Sequence, residues 1–147
     1  MGYFGALDIG ASALTAQRLR MDTISQNIAN ASTTRTEYGT PYRRRVVIFE
    51  EKSLGVPFSE YLTASSRERY IGKGVRVSKI VEDRSPFKRT YEPGNPDADA
   101  EGYVELPNVD IITEMVNMIS ATRAYEANVT SINTAKSMAL KALEIGR

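Results

Sequence analysis

The sequence predicts an α+β protein in which long N- and C-terminal helices pack as a coiled coil, with a small antiparallel β module inserted between them. Near both ends of the chain, apolar residues recur at spacings typical of a helical seam. All six prolines, and short runs rich in Val, Ile, Tyr and Phe, lie between residues 36 and 107, which indicates strands and turns. We therefore expect a helical domain formed by residues 1–35 and 108–147, and a β-rich module formed by residues 36–107.

The longest predicted element is a helix from about Asp110 to Ile145. Its first row of residues alternates spacings of four and three: Ile111, Met115, Met118, Thr122, Tyr125, Val129, Ile132, Lys136, Ala139 and Leu143. A second row, one position back, consists mostly of small residues: Ala121, Ala124, Asn128, Ser131, Ala135, Met138 and Ala142. Because the two rows are offset by roughly 100° around the helix, this helix is expected to contact at least two partners. Pro107 and Asn108 supply a stop and a candidate N-cap.

The N-terminal helix is predicted from about Gly5 to Ala31. Its apolar positions repeat every seven residues with one intermediate position: Leu7, Leu14, Met21, Ile24 and Ile28. Both ends of the chain thus have seams of compatible period, so we expect the two helices to pack against each other. Such a pair would leave apolar patches exposed, which normally mark an interaction surface.

The middle of the chain contains four strand candidates. They are Tyr42 to Glu50, Gly74 to Asp83, Phe87 to Tyr91 and Tyr103 to Leu106. The stretch from Leu54 to Ser66 mixes Ser, Thr, Gly and Pro and is predicted to be a mobile loop or an irregular excursion.

Composition excludes several classes of function. The 147 residues contain no cysteine and no histidine, which removes disulfides, thiolate or imidazole metal sites and catalysis by Cys or His. A net charge of +1 does not favour a general nucleic-acid binder. No apolar run approaches the ~20 residues of a membrane span, and a Sec-type signal peptide is not expected. Adjacent carboxylates such as Glu50 and Glu51 diverge on a strand, so no catalytic pair is predicted.

Three consecutive arginines, Arg43, Arg44 and Arg45, could grip phosphate groups. On a strand, however, they would point alternately to opposite faces, and the chain is nearly neutral. We therefore expect them to form interface or surface ion pairs.

The acidic stretch Asp97, Asp99, Glu101 and Gly102 has the residue types of positions one, three, five and six of a calcium-binding loop. The twelfth position would be Asn108, where a bidentate glutamate is needed. No metal site is predicted.

Several motifs resemble those of bacterial flagellar axial proteins. The N-terminal motif lies within residues 16–36 and contains Asn27-Ile28-Ala29-Asn30. More specific stretches are residues 41–44 (PYRR), residues 102–109 (GYVELPNV) and residues 121–128 (ATRAYEAN). Because their order and spacing agree together, the chain resembles the FlgC family of flagellar proximal rod proteins from end to end.

The resemblance implies a structural subunit of the basal-body rod within the periplasm, with no enzymatic activity and no cofactor. Its terminal helices would form the wall of the export channel and transmit torque, with the β-rich part outside. Partners would be other rod proteins, the ring-adaptor protein, copies of the same chain and the flagellar type III export apparatus, which would export it without a cleaved signal peptide. The expected assembly interface consists of Leu7, Leu14, Met21, Ile24, Ile28, Met115, Met118, Ala121, Ala124, Tyr125, Val129, Ile132, Ala135 and Leu143.

Three alternatives remain open. The chain could be a soluble helical adaptor or secretion chaperone that binds one partner helix. It could be another axial protein of the distal rod or hook type, against which the motifs at residues 41–44 and 102–109 argue. An enzyme with a carboxylate pair has no supporting arrangement of residues.

Overall fold

The computed structural model describes residues 3–52 and 74–145. Four short strands lie between two long terminal helices in the sequence, which confirms the predicted α+β class. In chain order the elements are α1 Tyr3–Ala29, β1 Arg45–Glu51, β2 Val75–Glu82, β3 Lys88–Tyr91, β4 Tyr103–Leu106 and α2 Ile111–Ile145. The loop predicted from Leu54 to Ser66 lies outside the described residues.

The strands form two separate antiparallel pairs, β1 with β2 and β3 with β4. Strand β4 begins and ends where the sequence predicts, whereas β1 begins at Arg45, three residues later than predicted. Before this strand, the Tyr42 N–H bonds the Thr33 carbonyl and the Arg44 N–H bonds the Asn108 side chain, so both groups point away from β2. A register shift beside Ile48 leaves Ser78 as the extra residue of a β-bulge.

The two helices pack against each other in antiparallel orientation. A Cβ atom on Gly10 would lie 2.7 Å from Ile132 Cγ1, so the helices approach closely there. Further along, Thr122 Oγ1 lies 3.6 Å from Met21 Sδ, and Asn27 Nδ2 donates a hydrogen bond to Glu114 Oε2 near the start of α2. A small residue at position 10 therefore allows the close approach of α2.

The β1–β2 pair lies along α1 and is attached to it at two points. At one end the Asn27 side chain bonds the main chain of Arg45, and at the other the Val75 N–H donates to Ser12 Oγ at 3.1 Å. The attachment points are about 22 Å apart along α1 and about 20 Å apart along β1. The strand is thus long enough to reach both points.

The N-cap of α2 is Asp110, and the prediction of Asn108 at this position was wrong. Asp110 Oδ2 accepts a hydrogen bond from the Thr113 hydroxyl at 2.6 Å. This bond, followed by bonds from the backbone N–H groups of Ile112 and Thr113, lowers the pKa of the Asp110 carboxyl. The side chain of Asn108 has other partners and cannot serve as the cap.

The apolar core of the described residues is small. Its buried members are Ala16, Ile24, Tyr42, Val104, Val109 and Ala121. In residues 3–52 and 74–145, neither helix has the length and apolar character that crossing a membrane demands.

At Gly74, next to the start of β2, the chain passes close to α1. The Gly74 φ of +101° is unfavourable for other residues, and an added Cβ would clash with Ser12 Oγ and lie 3.3 Å from the Ile9 backbone. We predict that Gly74→Ala lowers the free energy of unfolding by about 1–3 kcal/mol, measured by urea denaturation. Gly94→Ala is the matched control because nothing lies within 4 Å of its Cβ position. Equal stability of the two variants would contradict the close approach.

Candidate functional site

A cluster of polar side chains links both helices to the β1–β2 pair. It consists of Asn27 from α1, Tyr42 and Arg44 before β1, Asn108 after β4, and Glu114 from the first turn of α2. We call these five residues the joint. Asn27 and Glu114 are 0% and 1% exposed, although they are separated by 87 residues in sequence.

Asn27 uses every hydrogen-bonding position of its side-chain amide. Its Oδ1 accepts from the Tyr42 hydroxyl and from the Arg45 N–H, both at 2.9 Å. Its Nδ2 donates to the Arg45 carbonyl at 2.8 Å and to Glu114 Oε2 at 2.9 Å. The amide therefore pairs with one residue of β1 as a neighbouring strand would, and it also contacts α2.

Glu114 holds Arg44 with its other oxygen. Oε1 accepts from Arg44 Nε at 3.0 Å and from Nη2 at 2.8 Å, while Arg44 Nη1 lies 3.4 Å from Asp83. Burial alone would lower the pKa of Arg44. The hydrogen bonds and charges of Glu114 and then Asp83 outweigh it, so the pKa is raised and the guanidinium stays charged.

Asn108 connects the base of the β1–β2 pair to the start of α2. Its Oδ1 accepts from the Arg44 N–H at 2.8 Å, and its Nδ2 donates to the Asp83 carbonyl at 3.0 Å. The Asp83 carboxylate accepts from the Ser85 hydroxyl and backbone N–H, which lower its pKa more than the nearby Arg44 does. The joint therefore fixes the main chain just before β1 and just after β2, at the same end of the strand pair.

The three consecutive arginines make different contacts. Arg43 stacks over the Phe87 ring at 4.2 Å and Arg45 lies over the Tyr42 ring at 5.8 Å, while Arg44 joins Glu114. Such cation–π contacts and ion pairs occupy the guanidinium groups within the chain. The structure thus gives these residues internal partners.

An open cavity of about 350 Å³ borders the joint and is lined in part by Ile24, Val47 and Phe49. Among the described buried side-chain nitrogen and oxygen atoms, only Gln17 Oε1 lacks a hydrogen-bond partner. The polar groups of the joint are therefore already bonded to one another. This arrangement is that of a structural connection between chain segments.

The acidic stretch before β4 is organised by local hydrogen bonds. Asp97 accepts from the Thr34 hydroxyl at 2.8 Å, and Asp99 Oδ1 accepts from the N–H groups of Glu101 and Tyr103. Across the described ranges, no group of three or more acidic residues is arranged to hold a metal ion.

The first three turns of α2 expose large apolar side chains. Ile112, Met115, Val116 and Ile119 are 52–74% exposed and follow the spacing of a single helix face. We call these four residues the apolar strip. Since exposed apolar residues that share one face form a contiguous patch, the strip is a candidate contact surface.

Most residues of the predicted assembly interface are covered within the chain. Ile24 and Ala121 are buried, whereas Met115 and Leu143 are exposed. The other members are partly buried: Leu7, Leu14, Met21, Ile28, Met118, Ala124, Tyr125, Val129, Ile132 and Ala135. The predicted row therefore includes much of the α1–α2 contact, and the sequence prediction missed Ile112, Val116 and Ile119 as exposed apolar residues. Their spacing of four and three residues was the available signal.

We predict that Asn27→Ala lowers the free energy of unfolding by about 3 kcal/mol, because several buried partners lose their hydrogen bonds at once. The measurement is urea denaturation followed by circular dichroism. Asn133→Ala on the exposed side of α2 is the control and should stay within about 0.5 kcal/mol of the native chain. A loss no greater than that of the control would show that the joint contributes nothing to stability.

The ionisation of Tyr42 makes the stability of the folded chain depend on pH in the alkaline range. Burial is the main cause of its raised pKa; the charge of Arg45 opposes this, and those of Glu82 and Glu114 add to it. The folded state therefore holds the hydroxyl proton more tightly than the unfolded state does. The resulting stabilisation is complete below about pH 10 and is lost as the pH rises through the folded pKa.

We predict that Tyr42→Phe costs about 0.5–1.5 kcal/mol near pH 8, through loss of the bond to Asn27, and that this cost shrinks toward pH 11. Urea denaturation at both pH values measures the difference between the native chain and the variant. Tyr38→Phe serves as the control because Tyr38 is 90% exposed. A cost that grows with pH would contradict the sign of the pKa shift.

Comparisons with known proteins identify the family. Residues 7–35 match the family described as "Flagella basal body rod protein", and residues 100–145 match "Flagellar basal body rod FlgEFG protein C-terminal". Over the full length of both chains, the sequence is 51% identical to the flagellar basal-body rod protein FlgC of Bacillus subtilis and 42% identical to that of Escherichia coli O6:H1. It is 50% identical to the FlgC protein of Borreliella burgdorferi over 99% of this chain and 98% of the relative. The chain therefore belongs to the FlgC family of flagellar basal-body rod proteins.

Proposed function

We propose that the chain is a structural subunit of the proximal rod of the flagellar basal body and that it assembles through its terminal helices. The observation that carries the proposal is the apolar strip on α2, taken together with membership of a family of rod proteins. Its four large side chains remain exposed although α2 is already packed against α1. In a rod, a neighbouring subunit would cover them.

The energetics of the strip support an assembly role. Complete burial of an apolar side chain of this size contributes about 1.5–3 kcal/mol before the costs of association. Four such side chains on one helix face therefore offer substantial binding energy at little cost to the fold of the free chain. A contact between two different surfaces of neighbouring subunits propagates into a helical lattice, as an axial structure requires.

The partners follow from this assignment. The neighbours would be other rod proteins, the ring-adaptor protein and copies of the chain itself, and torque would pass through their packed helices. We propose that the chain lies in the rod within the periplasm and is delivered by the flagellar type III export apparatus. Each buried polar side-chain atom of the joint has a hydrogen-bond partner within the chain, which fits a structural connection.

We predict that replacing Ile112, Val116 and Ile119 together by glutamine prevents incorporation into the rod while leaving the fold nearly unchanged. The three side chains are already exposed, so the change removes contacts with neighbours and few within the chain. Basal bodies isolated from cells that make only the variant would be examined by immunoblotting and electron microscopy, and motility would be scored on soft agar. Circular dichroism of the purified variant checks the fold.

The matched control is Thr130→Gln combined with Ser137→Gln, which changes exposed polar positions farther along the same side of α2. Control cells should be motile with intact rods. Motile cells and normal rods in the triple variant would exclude the apolar strip as an assembly contact. A fully folded variant that binds a single soluble partner and is absent from native basal bodies would instead favour the adaptor alternative.

A further inference from the structure

The contact between α1 and α2 does not by itself define a unique alignment of the helices. Small residues are buried on both helices, namely Gly10 and Ala16 on α1 and Ala121 on α2. The repeats on α1 and α2 share a seven-residue period, so a slip by seven residues would again place apolar or small residues opposite one another. Some other interaction must select the observed alignment.

The observed alignment is continuous along the helix pair. Passing from Gly10 to Asn27 advances 17 residues along α1, and passing from Ile132 to Glu114 goes back 18 residues along α2. Thr122 beside Met21 lies within the same alignment. The joint is thus at one end of a single uninterrupted register.

We propose that Glu114, held between Asn27 and Arg44, is the positioning residue that selects this register of the two terminal helices. A slip of seven residues in one direction would move Glu114 to the level of Arg20 and Met21, and in the other beyond Ala29, where α1 ends. In either case Asn27 would lose its acceptor on α2 and Arg44 its buried carboxylate. Buried polar groups left without partners carry a large cost, which apolar contacts of similar quality do not compensate.

The β1–β2 pair makes the selection stronger. It is attached to α1 through Asn27 and Ser12, to α2 through Arg44, and to the segment just before α2 through Asn108. A slip of one helix past the other would have to break one set of attachments. The strand pair therefore connects the two helices and opposes their sliding past each other, and Glu114 is its contact on α2.

The consequence for the rod rests on the proposed function. The position of the apolar strip relative to α1 depends on the helix register, so only one register presents a reproducible surface to neighbouring subunits. The register itself is a property of the single chain. It can be tested without assembly.

The test uses disulfide cross-linking, because the native chain has no cysteine. Met21→Cys is combined in turn with cysteine at position 122, which reports the observed register, or with cysteine at position 115 or 129, which reports a slip of seven residues. Each pair is placed in the native background and in Glu114→Leu, Glu114→Gln and Glu126→Leu. The purified full-length chains are oxidised under identical conditions, and the linked peptides are quantified by mass spectrometry.

In the native background and in the Glu126→Leu control, we expect links from position 21 to position 122 and background levels at positions 115 and 129. In Glu114→Leu, slipped links should rise at least about ten-fold, since loss of a hydrogen bond to a charged group shifts an equilibrium by about that factor. Glu114→Gln keeps an acceptor for Asn27 and should give an intermediate value. If Glu114→Leu fails to fold, Glu114→Gln still tests the proposal.

Glu114→Leu and Glu114→Gln chains that keep the native pattern of links would overturn the proposal, as would a native chain with equal links at all three positions or with none. A residue that only stabilised the fold would lower every link together without raising the slipped ones. Rod incorporation of the apolar-strip variant is read in cells and does not affect this result. Failure of the register selection and failure of the rod assignment are therefore distinguishable.

Discussion

A single buried carboxylate connects the parts of this structure. Glu114 bonds the C-terminal part of α1 with one oxygen and the guanidinium before β1 with the other, and it belongs to the first turn of α2. Removing an ionised group from water is costly, and the cost is offset here only because both oxygens have charged or fully oriented donors. The carboxylate therefore tolerates burial in one arrangement of the three segments.

Such an interaction can select one arrangement of the chain even where its net contribution to stability is small. Buried ion pairs are often no more favourable than apolar residues of equal volume, but an incorrectly paired buried charge is strongly unfavourable. The apolar contacts between the helices have the opposite character, because they are favourable in several alignments. Small residues such as Gly10 and Ala121 bring the helices close together, and the joint decides which residues meet.

Much of the fold could be predicted from local sequence patterns. The bounds of α1 and α2 follow from a helical period sustained over many residues, and β4 lies between turn residues that mark both ends. The joint could not be predicted in this way, because Asn27 and Glu114 are 87 residues apart and their pairing depends on the antiparallel packing. The N-cap of α2 could not be predicted for the same reason. Asn108 is a suitable residue type for a cap, but its side chain bonds the main chain of Arg44, just before β1, and of Asp83, just after β2.

The apolar strip is a second feature that the sequence pattern alone did not predict. Periodicity reveals that a helix has apolar rows, but not which row is covered by the chain itself. In α2 the predicted seam and the small-residue row include positions that contact α1, whereas Ile112, Val116 and Ile119 lie outside both and remain exposed.

The joint determines which face of α2 packs against α1 and which face remains exposed. Once Glu114 is fixed against Asn27, the rotation of α2 about its axis is fixed, and the residues at 112, 116 and 119 must point away from α1. The buried contact that orders the chain thereby also determines the surface that it offers to a neighbour.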